Sequence, residues 1–336
     1  MSDADELTKV FKADVERIAD SFIQAFNLTF AREDPHLSYA PYRWLEFALM
    51  RYVAPVPRQV LFSRGFWRRA PKEAGAAVDD FAHRVRHGED INAYQGRGLT
   101  MNDVSGAGQR QRTDLLLADF GIHHFHLTDE PLVPGKVYSG RSNWLLFAVV
   151  REDAMLLVDA RRHPKGMGWA QKGVLETAVE NWPQAFAHCE VKGVTGADWS
   201  DEKIDHLRRY GVNTPHRVGS RVYCAINGGL TSAGTPLLVH RAADRVLFEV
   251  EDLAHQFTDD KNETVQLCRE RGIPEPMFHL VLTPNGLIVF EEAANVGAPL
   301  REWPGLAAFA PLWAISQLSV SAKPPGSGHG GHLVRL

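Results

Sequence analysis

Three short apolar segments dominate the centre of the chain. They cover residues 122–127, 144–150 and 155–161, consist largely of aliphatic, aromatic and histidine residues, and have the length of strands rather than helices. An acidic turn at residues 151–153 separates the last two segments, which suits a hairpin connection. The pattern predicts a central antiparallel β-meander, and the remaining elements must cover the faces of that sheet.

Helical periodicity precedes and follows the meander. Apolar residues recur every three to four positions in residues 7–28 and, over a shorter stretch, in residues 42–53. Residues 172–179 and 201–210 predict two further helices, each ending near a residue that favours helix termination. We therefore expect helices to flank the meander and a helical N-terminal region to precede it.

The C-terminal third returns to strand-like patterns. We expect strands at residues 221–226, 236–240 and 245–250, and a hairpin over residues 278–290 that turns on the Thr-Pro-Asn-Gly sequence at 283–286. The predicted fold class is therefore α+β, with a central antiparallel β-meander with flanking helices, a helical N-terminal region and a second β-rich C-terminal part.

These changes of pattern divide the 336 residues into three expected parts. Residues 1–112 form a helical N-terminal region with a basic segment and a glycine-rich, flexible loop at residues 99–112. Residues 113–218 form the central α+β domain. Residues 219–336 form a β-rich C-terminal region that ends in a mobile tail rich in glycine and proline.

The net charge of −4 gives no overall attraction to nucleic acid or to an anionic membrane, but charge is segregated along the chain. Residues 1–40 carry four Arg and Lys against eight Asp and Glu, whereas residues 41–112 carry twelve against seven, a net charge of +5. The acidic N-terminal helix is an expected docking site for a protein partner, and the basic segment an expected contact for RNA.

Cysteine usage and hydropathy favour a cytoplasmic protein. The three cysteines lack any paired spacing, which is typical of a reducing compartment and predicts neither a disulfide framework nor a zinc site. The N-terminus has no basic and apolar leader pattern. The most apolar stretch, residues 304–320, is broken by Pro311 and Gln317, so no membrane partner is expected.

Histidines are concentrated on the first predicted strand. Strand alternation directs His124 and His126 to one face, roughly 6.6 to 6.8 Å apart along the strand. The third strand brings His163 to the same region, and cations lie at the rim of the meander, namely Arg141, Arg161, Arg162 and Lys165. Histidine exchanges protons near neutral pH, so this set predicts acid/base cleavage of RNA, with cations stabilising the charged phosphorane.

The order of these elements resembles RelE-type endoribonuclease toxins over residues 114–190. The likeness lies in a strand with polar ends, an arginine-bearing loop at Arg141, an apolar strand at residues 145–150, a short acidic turn, and a strand that ends in Arg161, Arg162 and His163. The resemblance implies a metal-independent endoribonuclease associated with a toxin or with phage defence. The strand alternation described above, rather than the resemblance, makes His124, His126, His163, Arg141 and Arg161 the expected catalytic residues, and no cofactor is expected.

A basic segment at residues 58–72 predicts a surface for the RNA strand. Arginines there alternate with aromatic residues, so cations are available for phosphates and an indole for bases. The expected substrate-binding residues are Arg64, Trp67, Arg68, Arg69, Arg162 and Lys165. An amphipathic segment that packs its aromatic side chains inward is the alternative interpretation.

Two other interpretations remain open for the same residues. His124, His126 and Glu130 reproduce part of the first cupin motif, HxHxxxE, and this resemblance implies a site for iron, manganese or nickel with His163 as a further ligand. In the other interpretation the chain is a non-enzymatic protein that binds a partner or nucleic acid, and its histidines only form structural hydrogen bonds.

Overall fold

A computed structural model of the chain describes residues 3–31, 39–103, 114–128, 130, 132–133, 136–140, 143–163, 171–210, 212–225, 228–231 and 234–321. These residues form two compact units. The terminal unit combines Met1–Ala48 with Val239–Leu336, and the central unit is Leu49–Leu238. Parts of all three segments expected from the sequence therefore belong to the central unit. Most of the expected loop at 99–112 and the tail beyond residue 321 lie outside the described residues.

The helices and strands are numbered in chain order. The α-helices are α1 (Asp3–Ala25), α2 (Ala40–Glu46), α3 (Phe66–Arg69), α4 (Gly75–His87), α5 (Gly98–Met101), α6 (Leu115–Phe120), α7 (Lys172–Asn181), α8 (Asp201–Arg209), α9 (Leu237–Phe257), α10 (Glu263–Glu270), α11 (Pro304–Phe309) and α12 (Leu312–Ser321). The strands are β1 (Gln59–Phe62), β2 (Ile122–Leu127), β3 (Trp144–Val150), β4 (Ala154–Arg162), β5 (Glu190–Val191), β6 (His216–Val218), β7 (Arg221–Tyr223), β8 (Phe278–Thr283), β9 (Gly286–Glu291) and β10 (Val296–Pro299). A π-helix at Phe47–Arg51 follows α2, and 3₁₀-helices lie at Lys72–Ala74, Asn92–Tyr94 and Pro183–Cys189.

The central unit contains a four-stranded sheet in the order β1-β4-β3-β2. The three strands β2, β3 and β4 pair antiparallel, which confirms the predicted meander. The fourth strand, β1, pairs parallel to β4 and was not predicted. Its four apolar and polar residues, QVLF, carry too short a pattern to be recognised beside the arginines that follow.

Each face of this sheet has its own hydrophobic core. On one face Phe125, Leu146 and Leu157 pack with the apolar side of α4, including Phe81. On the other face Leu145 and Phe147 pack with α7. Burial on both faces explains why β3 reads as a continuous apolar run, Trp-Leu-Leu-Phe-Ala-Val-Val, instead of an alternating one.

A second, three-stranded sheet of the central unit has the order β5-β7-β6, and all of its pairs are antiparallel. Its residues Val218 and Tyr223 belong to the same core as Phe147 and α7. Glycine at position 219 has a φ of +59° in the turn between β6 and β7, a backbone region that favours glycine.

The terminal unit is held together around Trp44 of α2. The indole ring stacks on Phe22 of α1 with centroids 4.4 Å apart, and its Nε1 donates a hydrogen bond to the carbonyl oxygen of Phe309, 2.7 Å away. The strands β8 and β9 form the predicted hairpin around residues 283–286. The chain after this hairpin forms β10, which completes a three-stranded sheet.

The predicted strands at residues 236–240 and 245–250 were wrong, because residues 237–240 and 245–250 lie in helix α9. Buried residues of α9 recur at helical intervals over its full length: Val239, Ala243, Val246, Val250, Leu253 and Phe257. A window of five or six residues contains less than two helical turns, so it cannot separate the two periodicities.

The fold class is α+β, as predicted, with helices and small sheets in both units. The apolar stretch at residues 304–320 forms the short helices α11 and α12. Within the part of the chain that the structure describes, every helix is too short or too polar to cross a membrane.

Candidate active site

Strand β2 places His124 and His126 on the face that also carries Leu145 and Phe147. In the antiparallel register His124 lies opposite Phe147, and His126 lies opposite Leu145. The two imidazole ring centroids are 5.9 Å apart, and the rings are inclined at 75°. Both side chains are partly exposed on β2, which is an edge strand of the sheet.

The ring of His163 completes a cluster of three imidazoles. The backbone N–H of His163 donates to the carbonyl oxygen of Asn143 at 2.6 Å, which extends the β3–β4 ladder by one residue. Its ring stacks on that of His126 with centroids 5.8 Å apart and an angle of 26°. The structure thus brings together the three histidines singled out in the sequence, and we call them the histidine cluster.

Asp114 connects this cluster to helix α6. One carboxylate oxygen caps the helix by accepting the backbone N–H of Leu117 at 3.1 Å, which is a common role of aspartate at a helix start. The other oxygen lies 3.0 Å from Nδ1 of His124 and 3.7 Å from Nη1 of Arg51. Both the carboxylate and Arg51 are almost fully buried.

The carboxylate of Asp114 is ionised at neutral pH. Burial raises the pKa of Asp114, but the neighbouring His124 ring and the Arg51 guanidinium together outweigh burial and hold the pKa well below its usual range. A fixed negative charge beside Nδ1 of His124 favours the tautomer that carries its proton on Nδ1, with Nε2 as the acceptor nitrogen.

The Nε2 atoms of two histidines converge on Gly96. A Cβ atom at this position would lie 3.7 Å from Nε2 of His126 and 3.9 Å from Nε2 of His124. Gly96 follows the 3₁₀-helix Asn92–Tyr94, and this segment is fixed because Gln95 donates from Nε2 to the carbonyl oxygen of Arg51 at 2.6 Å. A glycine therefore leaves space where the two ring nitrogens meet.

An exposed arginine, Arg97, stands next to Gly96 at the start of α5. The backbone carbonyl of Arg97 accepts a hydrogen bond from the hydroxyl of Tyr138 at 3.2 Å, and that hydroxyl also contacts the hydroxyl of Thr100. These contacts fix the backbone that carries Arg97 and leave its side chain at the surface.

Arg161 does not contribute to the cluster in the way that the sequence predicted. Its Nε lies 2.8 Å from Asp159, and its Nη1 donates to the side-chain oxygen of Gln171 at 3.1 Å. Leu145 of β3 pairs with Arg161 of β4 on one side and with His126 of β2 on the other. Strand β3 therefore separates Arg161 from His126. The buried carboxylate of Asp159 directs this guanidinium into a structural network instead.

Of the other predicted cations, Arg162 also differs from expectation. Arg162 pairs with Trp144, and hence lies on the face of Leu127, opposite the histidine cluster; its guanidinium carbon is 5.9 Å from the Trp144 ring centroid. Arg141 and Lys165 lie outside the described residues.

The residues around the cluster that sequence reasoning missed are Asp114, Arg51 and Gly96. Asp114 had one local signal, since an aspartate before Leu-Leu-Leu fits a helix N-cap. That signal predicts a cap and gives no indication of the contact with His124. Arg51 and Gly96 reach the cluster through tertiary packing, for which the sequence has no short-range pattern.

A three-ligand metal site does not form at the cupin-like motif. Glu130 is exposed, and its backbone N–H donates to the hydroxyl of Thr128 at 3.1 Å. Among the described residues, no group of three or more His, Cys, Asp or Glu side chains is placed to hold a metal ion. His124, His126 and Glu130 are therefore not assembled as ligands.

The basic segment has a mixed arrangement. Trp67 is half exposed and rests on Phe62 and Phe66, with ring centroids 5.2 and 5.3 Å away, while Phe66 itself is buried. Arg64 and Arg68, which are close to Trp67 in sequence, are both exposed. We call Arg64, Trp67 and Arg68 the basic surface.

Arg69, by contrast, has structural contacts. Its Nε lies 3.4 Å from Asp159, and its Nη2 donates to the hydroxyl of Ser63 at 2.6 Å. Its Nη1 donates to the carbonyl oxygen of Arg64 at 2.8 Å. Arg69 therefore connects the start of α3 to β4. Its guanidinium contacts protein groups and is not directed to a ligand in solution.

The chain matches no protein-family model, no curated protein and no solved structure. The resemblance to RelE-type toxins stays a prediction.

We expect His123 to make stability depend on pH. This ring lies on the opposite face of β2, nearly parallel to Phe125, and burial lowers its pKa from 6.5 to about 4, against the opposing effect of Asp114. Between these values the unfolded chain binds more protons than the folded one, so the free energy of unfolding falls as pH decreases from 6.5 to 4, by up to roughly 3 kcal/mol.

Urea unfolding of the parent and of His123→Gln at pH 7 and pH 4.5 measures this effect. The variant should lose less stability on acidification than the parent, whereas the same substitution at the exposed His188 should leave the parent's pH dependence in place. An equal loss in the parent and in His123→Gln would show that another group causes the acid sensitivity.

Proposed function

We propose that the central unit cleaves RNA without a metal ion, with His124 and His126 as the acid/base pair. The observation that carries this proposal is the convergence of two Nε2 atoms beside Gly96, with an ionised carboxylate behind one of the rings. Two imidazole nitrogens beside one small space suit a reaction that needs a proton removed from one oxygen and delivered to another.

In the proposed reaction His124 acts as the general base. Its Nε2 takes the proton of a ribose 2′-hydroxyl, and the oxygen attacks the adjacent phosphorus. The resulting positive charge on the imidazole is stabilised by the Asp114 carboxylate at Nδ1, the same arrangement that makes histidine an effective base in other enzymes. The products are a 2′,3′-cyclic phosphate and a free 5′-hydroxyl.

His126 acts as the general acid and protonates the departing 5′-oxygen. The ring of His163, stacked on His126, helps to fix its orientation. We assign the stabilisation of the phosphorane to Arg97, because it is exposed and adjacent to Gly96, whereas Arg161 is held by Asp159. Arg51 serves a positioning role through its contact with Asp114.

The basic surface is proposed to bind the RNA strand away from the reacting phosphate. Arg64 and Arg68 offer guanidinium groups to phosphates, and the half-exposed indole of Trp67 offers a stacking face to a base. Arg69 is not included, because its guanidinium holds Asp159 and Ser63.

Gly96→Ala provides a direct test of the proposed chemistry. The added methyl group would be in ordinary van der Waals contact with both Nε2 atoms, and Gly96 does not have a positive φ, so the variant should fold normally. The methyl group fills the space that the reacting phosphate needs, so the single-turnover rate of RNA cleavage should fall about a hundredfold.

Gly75→Ala is the matched control, because a Cβ there meets no atom within 4 Å. It should retain the parent's cleavage rate, and both variants should retain the parent's thermal stability. Reactions are compared with and without a chelator, which should have no effect. A stable Gly96→Ala protein with the parent's rate contradicts the proposed site, and loss of activity with chelator favours a metal site instead.

Arg68→Ala should weaken RNA binding and leave the chemical step intact. Removing one phosphate contact should reduce the slope of log affinity against log salt by about 0.7 for a single strand. The exposed Arg86 on α4 provides the control, since Arg86→Ala removes a similar charge elsewhere in the central unit. Equal effects of both substitutions on the salt slope would assign RNA binding to general charge and not to the basic surface.

A further inference from the structure

Two of the three cysteines, far apart in the sequence, lie opposite each other in the small sheet. Strands β5 and β7 pair antiparallel with Glu190 opposite Tyr223, and the same register continues one residue further to Cys189 and Cys224. The backbone N–H of Cys224 donates to the carbonyl oxygen of Cys189 at 3.0 Å, which confirms that the two residues are cross-strand neighbours.

This geometry suits a disulfide. Side chains of directly opposed residues point to the same face of an antiparallel pair, with Cα atoms about 4.5 to 5.5 Å apart. Disulfides usually join Cα atoms about 4.4 to 6.8 Å apart. We propose that Cys189 and Cys224 are a redox modification site, at which the two thiols are converted reversibly into a disulfide by exchange with a small-molecule disulfide.

The two thiols differ in access, and this difference gives the order of steps. Cys224 is partly exposed, whereas Cys189 is buried. Burial, and then the proximity of Cys224, raise the pKa of Cys189 to about 11, so this thiol is almost fully protonated at neutral pH. Cys224 is therefore the residue that reacts first with a reagent from solution.

The chemistry balances as two exchanges with oxidised glutathione. The Cys224 thiolate attacks one sulfur of the reagent, forms a mixed disulfide and releases one reduced glutathione. The Cys189 thiol then loses its proton and attacks the Cys224 sulfur, which forms the intramolecular disulfide and releases the second glutathione. The reagent gains two electrons, and the protein loses two hydrogen atoms.

Oxidation would connect elements that the central core already holds close. Tyr223 of β7 packs in the core that contains Phe120 and Ile122, and Cys189 belongs to the same core. A covalent bond between residues 189 and 224 closes the chain segment that contains α8 and β6, which stabilises the folded state by restricting the unfolded chain. The inference does not depend on the proposed RNA cleavage.

The test is treatment of the native full chain with oxidised glutathione, followed by removal of the reagent, thiol titration of the then unfolded protein and mass spectrometry of peptides. We expect titratable thiols to fall from three to one, with a peptide pair joined through Cys189 and Cys224 and a higher melting temperature. A reductant should reverse all three changes. Cys268→Ser, the matched control, should form the same disulfide.

Cys189→Ser should stop the reaction at the mixed disulfide on Cys224, and circular dichroism verifies that this variant is folded. The proposal is overturned if the native parent retains all three thiols, or if glutathione stays attached to Cys224 although Cys189 is present. A Cys189–Cys224 disulfide that forms only in denaturant would overturn it as well, because the native sheet would then not supply the geometry.

Discussion

The candidate site depends on the contact between Asp114 and His124. It joins the start of α6 to β2, and it places a buried negative charge against one nitrogen of an imidazole. The charge is tolerated because Arg51 and His124 stabilise the ionised carboxylate against the cost of burial. Because Nδ1 faces this carboxylate, the ring presents Nε2 to the space at Gly96. The roles that we propose for His126 and Arg97 depend on that orientation of the His124 ring.

The sequence predicted the meander because its periodicity is local. The alternation of His123, His124, Phe125 and His126 fixed which side chains share a face, and the structure has the same strand bounds for β2 and β3. The parallel strand β1 and helix α9 were missed for opposite reasons. Strand β1 has too few residues to show a periodicity. Short windows of helix α9 have the apolar composition of strands.

Prediction of the site was limited by partners that are distant in sequence. Alternation correctly brought His163 near His126, but it could not show that Asp159 and Gln171 would hold the Arg161 guanidinium. The same limit applies to Gly96, and to Cys189 and Cys224, which become neighbours only through the β5–β7 pairing. The alternation of residues along a strand predicts the face on which a side chain lies. Tertiary contacts determine which groups that side chain can bind.

The pH dependence of single-turnover RNA cleavage shows whether His124 and His126 act as base and acid. We expect a bell-shaped profile for the parent, because one imidazole must be neutral and the other protonated. His124→Ala should remove the acidic limb and His126→Ala the alkaline limb, each with a rate loss of about a hundredfold or more and an unchanged fold. A parent that leaves RNA intact at every pH, or folded variants that retain its profile, would show that His124 and His126 are not an acid/base pair for RNA cleavage.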